Sequence, residues 1–212
     1  VGRDLFFLAK FAGVDGVIAV FIFIAALAAI QGQRVAPDFF RVDWIATRLA
    51  LAAPVLALGG AALDNYLTRR PFATCAARYL ALALVGTVII AGFWNRQGAA
   101  VPFGSDIAWR LLPASLLVTL ALIIMAAIAL TLAIRLNTAP VIVILALVFV
   151  GGVLSHHIFA GWQTPFVSDV VRGMLPDWQR FWAVDMLADG RHIPAGYMCY
   201  AALYAVVYLA AI

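Results

Sequence analysis

Glutamate is missing altogether from these 212 residues, and Lys10 is the only lysine. All ten acidic residues are aspartates, charged residues make up 11% of the chain, and 66% is hydrophobic. The mean hydropathy is +1.05. A soluble domain is nearer half apolar and a quarter charged, so this balance excludes one and indicates an integral membrane protein. Only two cysteines occur, Cys75 and Cys199, with no CxxC and no Cys/His cluster. Neither a disulfide framework nor a zinc site is indicated. No GxSxG, HExxH, paired Glu or GxxxxGK[ST] is present. The last absence removes any means of cradling ATP phosphates within this chain. The net charge of +4 would point to nucleic acid in a soluble protein. Here the arginines read instead as topology signals at helix ends, with no nucleic-acid partner. The opening VGRDLFFLAK has neither an initiator Met nor a signal-peptide pattern, and reads as the interior of a longer polypeptide.

What is abundant is continuous apolar sequence. A helix crossing the ~30 Å hydrocarbon layer needs about 20 apolar residues. Six stretches answer, at 5–30, 44–66, 74–95, 107–135, 138–160 and 195–212. They lack the alternation of a barrel strand, so the predicted fold is all-α, a polytopic transmembrane helical bundle in one domain, residues 1–212. The breaks between spans carry turn chemistry: QGQRVAPD, NYLTRRPF, NRQGAAVPFGSD and RLNTAP. The two shortest predict antiparallel hairpins, 44–66 with 74–95 and 107–135 with 138–160. The densest basic cluster in a short loop is Arg69-Arg70 with Arg78, which places that turn and the chain start in the cytoplasm. LALALVGTVI (80–89) and LALVFVGGVL (145–154) agree at six of ten positions, a faint sign of a duplicated hairpin.

Few polar residues interrupt the spans. Asp15 lies inside the first, where a carboxylate is costly and often functional. Its bland reading is interfacial, about one turn deep, with Lys10 snorkelling outward. Asp64 closes the second span beside Asn65 and Arg69-Arg70 and reads as interfacial too. His156 and His157 are adjacent rather than three or four apart, and with His192 alone elsewhere they form no ligand set. Gly59-Gly60 and Gly151-Gly152 are packing positions where neighbours approach closely. Pro54 and Pro113 kink their helices or stand near helix ends.

The most polar passage precedes the last span: MLPDWQRFWAVDMLADGRHIPAGY, 174–197. Pro176 suits a first helical turn, Asp177 complements its positive end, and Gly190 suits a stop. Trp178, Phe181, Trp182 and Met186 fall at one-face spacings, predicting an interfacial amphipathic helix over 176–189. Tyr197, Tyr200, Tyr204 and Tyr208 follow along the last span.

That passage, through VVYLAA, resembles the C-terminal end of type-II ABC exporter permeases, in particular the copper-enzyme-maturation-like subgroup. The matching residues are Pro176, Asp185, Leu187, Gly190, Ile193, Pro194 and Tyr204. VGRDLFFLAKFAGV resembles the family's stretch after its second helix, through Arg3, Lys10 and Gly13. LAIRLNTAPVIVILALVFVGGVLSH resembles the helix, short turn and Gly-containing helix that follow. The likeness covers both ends and about half the chain. The five spans after Lys10 depart from the family's three or so.

The resemblance implies two helices before Val1, a permease dimer, and a separate ATP-binding subunit on the cytoplasmic face of a bacterial inner membrane. ATP and Mg would sit on that subunit, leaving this chain without cofactor, metal or catalytic residues of its own. The coupling elements it implies are Gly2, Arg3 and Asp4 first, then the turn with Thr68, Arg69 and Arg70. Two other classes stay open: a non-transporting anchor of a larger membrane assembly, and an ion-coupled carrier or intramembrane enzyme using Asp15, Asp64 or the histidines. Substrate is not legible; the apolar spans tilt toward a lipid-like cargo.

Overall fold

The computed structural model describes residues 3–35, 43–159 and 175–211, and its regular elements are helical apart from one isolated bridge between Trp94 and Ala100. In order they are α1 (Arg3–Val35), α2 (Trp44–Thr68), α3 (Phe72–Ala91), α4 (Leu111–Ala133), α5 (Thr138–Phe159), a 3-10 turn (Trp178–Phe181), α6 (Val184–Ala188) and α7 (Ala195–Ala211). Four stretches are long and apolar enough to cross a membrane: Leu8–Val35 within α1, and the whole of α2, α3 and α4. The apolar parts of α5 (Thr138–Leu154) and α7 are shorter. Large side chains such as Val17, Phe21, Leu51, Val55, Ile142 and Val206 are exposed along these helices. Water would penalise such a surface and lipid would not, consistent with an integral membrane protein.

Two compact units make up the chain. The first combines 1–19 with 113–212, and the second is 20–112. In the second unit α2 and α3 pack side by side as the expected hairpin. The face α2 turns inward is Ala46, Ala53, Ala57, Ala61 and Asp64, nearly all small, so the two backbones come close. Gly60 is packed by the Tyr79 ring of α3, whereas its neighbour Gly59 faces open space. Leu27 and Ile30 of α1 join Ala53, Leu84, Val88 and Ile107 in this core. In the first unit Leu117 and Ile124 of α4 meet Trp178, Phe181, Ala183, Ile193, Ala201 and Ala205.

Helix ends follow local chemistry. Asp43 starts α2 by accepting the Ala46 N–H at 2.9 Å. The predicted span 107–135 begins as a helix only at Leu111. Residues 107–110 form turns instead, with Leu111 N–H on the Ala108 carbonyl at 3.0 Å. Pro113 has no N–H, and in the first turn of a helix none is needed for an intrahelical bond. Pro54, by contrast, lies inside α2 on its exposed side.

One expectation is corrected here. Residues 176–189 form two short pieces, the 3-10 turn and α6, rather than one amphipathic helix. In a 3-10 turn residues i and i+3 stack on one face, which sends Trp178 and Phe181 together into the core. Trp182 then lies exposed and Met186 half-buried, so the four do not share one face. The stop at Gly190 is seen, at φ 71°, a conformation glycine adopts freely.

Candidate functional site

Polar side chains are so scarce here that each one held inside the protein needs a physical reason. The most deeply buried set closes one end of the second unit. Arg34, on the last turn of α1, is 2% exposed and pairs with Asp43 at 2.9 Å. Its guanidinium also donates to the carbonyls of Ala91 and Trp94, at 2.8 Å for the latter, where α3 ends. One turn earlier on α1, the Gln31 amide donates to the Thr87 hydroxyl at 2.6 Å, and that hydroxyl donates to the Leu84 carbonyl at 2.9 Å. Asp43 uses its other carboxylate oxygen to cap α2. One cation therefore ties the ends of α1 and α3 to the start of α2. Gln31 Oε1 and Arg34 Nε have no partner among the described residues.

Sequence reading treated Arg34 as a topology charge and gave Asp43 no role. Arg34, Arg41 and Arg48 stand beside Asp38 and Asp43 in the same part of the sequence, and Asp106 lies in the next connection expected on the outer side. Nothing in their spacing selects one pair. The only available signal was Asp43 immediately before an apolar run, an N-cap pattern.

At the opposite end of the same hairpin, Asp64 is buried. Arg78 of α3 pairs with it at 2.5 Å, and the Thr68 hydroxyl stands 3.0 Å from its other oxygen. The same hydroxyl donates to the Asp64 carbonyl at 2.7 Å. Asp64 is thus paired inside the hairpin, beneath exposed Arg69 and Arg70. Asp15 differs. It is half-buried on α1, and its Oδ1 has no hydrogen-bond partner among the described residues.

The third constellation anchors the polar passage to α7. Arg180 donates to Asp177 at 2.9 Å and to the Tyr200 hydroxyl, and lies 4.7 Å over the Tyr204 ring. The Asp177 bond pushes the guanidinium above its usual pKa, against partial burial that pulls it down. Tyr204 takes the Asp177 N–H at 3.0 Å, and the Tyr197 hydroxyl donates to the Arg180 carbonyl at 2.7 Å. On the other side Trp178 donates its indole N–H to the Val148 carbonyl of α5 at 3.3 Å. Tyr204→Phe removes one acceptor of a part-buried backbone N–H. It is expected to lower stability by about 1 kcal/mol in detergent unfolding, with helix content unchanged by circular dichroism.

The remaining predicted residues are placed as follows. Gly2 lies outside the described residues, while Arg3 and Asp4 begin α1. The backbones of His156 and His157 continue α5, their side chains lie outside the description, and His192 is exposed. Among the described residues no three His, Cys, Asp or Glu side chains gather as a metal site. Among the described residues the polar groups that gather bond mainly to one another and to helix ends, an arrangement that positions helices. In comparisons with known proteins, the chain matches no family model, no curated protein and no solved structure.

Proposed function

We propose that the chain is the membrane-spanning permease subunit of an ATP-driven exporter in a bacterial inner membrane. It works as a dimer with a separate ATP-binding subunit that holds the nucleotide and Mg. The resemblance of 1–14, 132–156 and 175–211 to exporter permeases motivates this reading. The observation that carries it is the length of α1. Its 33 residues rise about 50 Å, while the hydrocarbon layer is about 30 Å thick. The turns bearing Arg3, Asp4 and Lys10 then project beyond the layer, where a soluble subunit can grip them. Closure of that subunit around ATP would rock the helices of the permease dimer.

In this reading α5 and α7 also cross. At 22 and 17 residues they rise about 33 and 26 Å, enough to complete six spans. The start of the chain and the Arg69-Arg70 turn face the cytoplasm. The polar passage before α7 lies at the opposite interface, with exposed Trp182 at headgroup level.

Affinity purification of the full chain from its native membrane in mild detergent is expected to retain an ATP-binding subunit and ATP hydrolysis. Charge reversal at Arg3 is expected to reduce that recovery severalfold. Purification of the intact assembly with other membrane subunits and no ATPase would instead identify an anchor.

A second reading, an ion-coupled carrier, draws on the unpartnered oxygen of Asp15. An intramembrane carboxylate that cycles a cation cannot be replaced by an amide. The permease reading expects Asp15→Asn to keep full transport-coupled ATP hydrolysis; loss of function with the fold intact would favour the carrier.

A further inference from the structure

Between α2 and α3 the chain turns in three residues, Arg69, Arg70 and Pro71. Both arginines are exposed and form no ion pair among the described residues. Asp64, whose charge Arg70 senses without forming an ion pair, is already engaged by Arg78 and Thr68. The turn itself is held firmly from beneath. Arg69 takes a left-handed φ of 56°, its N–H bonded to the Asn65 carbonyl at 2.9 Å, and the Asn65 side chain donates back to the Arg70 carbonyl. Two adjacent guanidiniums are therefore displayed from a rigid backbone.

Their surroundings are apolar and aromatic. Tyr66 is 82% exposed, Leu67 69% and Phe72 45%, all within three residues of a guanidinium. Leu63, one turn deeper on α2, is 59% exposed and continues the same surface into the span. Two helices of membrane-crossing length end at this turn, which sets the arginines at headgroup depth. Exposed aromatic rings beside them match the interfacial belt. The planar, permanently charged guanidinium suits phosphate oxygens in a two-pronged geometry that an ammonium cannot supply.

We propose that this turn binds the headgroup of an anionic phospholipid. Arg69 and Arg70 take the phosphodiester, and Tyr66 and Phe72 flank the glycerol and upper acyl chain. A soluble protein partner fits the surface less well. A specific protein interface takes about 800 Å² per partner, which a three-residue turn flush with two spans does not present by itself. A lipid needs only this charge pair and the apolar wall below it. The assignment does not depend on the transport reading and holds for any function of the chain.

The test is native mass spectrometry of the full chain in detergent with equal phosphatidylglycerol and phosphatidylcholine. Wild type is expected to retain phosphatidylglycerol preferentially. Arg70→Gln, which leaves the left-handed Arg69 untouched, should lower that preference about fivefold, and R69Q/R70Q about thirtyfold. Unfolding midpoints in phosphatidylcholine micelles should match wild type for Arg70→Gln, showing that the fold is intact. Equal retention of both lipids by wild type overturns the assignment. So does an unchanged preference in R69Q/R70Q, or full displacement of the lipid by millimolar inorganic phosphate. If R69Q/R70Q keeps its lipid preference but loses a co-purifying ATPase subunit, the turn is a protein contact and the lipid site is refuted. Loss of lipid preference with ATPase recovery unchanged supports the site and leaves the permease reading intact.

Discussion

Asp43→Asn is expected to destabilise the chain by about 3 kcal/mol, although asparagine caps a helix as well as aspartate does. The substitution keeps the volume and an oxygen for the Ala46 N–H, so what it removes is charge. Arg34 then stays 2% exposed with its countercharge gone. Breaking a buried pair by deleting one partner costs about 3–5 kcal/mol. The low end applies because the Ala91 and Trp94 carbonyls, near the negative C-terminal end of α3, still solvate the guanidinium. Arg34→Met removes the cation itself and leaves Asp43 buried and unpaired, so it should cost at least as much. R34M/D43N removes both charges and should recover much of the loss, because no buried charge is then left without its partner. Unfolding in mixed micelles, analysed as a double-mutant cycle, measures this directly. Additive single effects would show that Arg34 and Asp43 do not sense each other, and the three-helix clamp would have to be abandoned.

That clamp also marks where sequence reading reaches its limit. The helical class and four of the six expected spans were readable because they depend on long apolar runs, and such runs have few alternatives in lipid. The α2–α3 hairpin was readable because RRP allows so little chain between two spans. Asp177 and Gly190 were readable as start and stop residues from local chemistry alone, and Asp177 caps the 3-10 turn while Gly190 follows the end of α6 at a positive φ. Pairing is different in kind. The bond between Arg34 and Asp43 depends on where three helix ends meet, and no local pattern records that. The break between Trp178 and Met186 failed for a related reason. Spacings of three fit an α-helical stripe and a 3-10 stack equally, and tertiary packing of Trp178 and Phe181 decided between them. The glycine pairs show the same division. Both looked like packing sites, yet only the second residue of each is tightly packed.

The second of those pairs carries the other large effect. Gly152 faces the Pro176 carbonyl and the indole of Trp178 so closely that an added methyl would overlap both. A flexible side chain could swing aside, but a backbone carbonyl in a buried turn cannot. Trp178 is itself 5% exposed, held by its bond to the Val148 carbonyl and by the Phe149 ring 6.1 Å away. Gly152→Ala is therefore expected to cost about 3 kcal/mol, at the upper end for overpacking. Gly151→Ala is the internal control, because its added methyl meets only Leu175 side-chain carbons at 3.6 and 3.7 Å. It should shift stability by less than about 1 kcal/mol. Adding Trp178→Ala to Gly152→Ala frees the indole clash but leaves the carbonyl one. The pair should therefore be less damaging than the sum of its parts, by roughly 1 kcal/mol or more, yet remain worse than Trp178→Ala alone. Equal costs at positions 151 and 152 would mean that α5 does not seat on this turn. The polar passage would then be held to the first unit by its packing on α4 and α7 and by the contacts of Arg180 with Tyr200 and Tyr204.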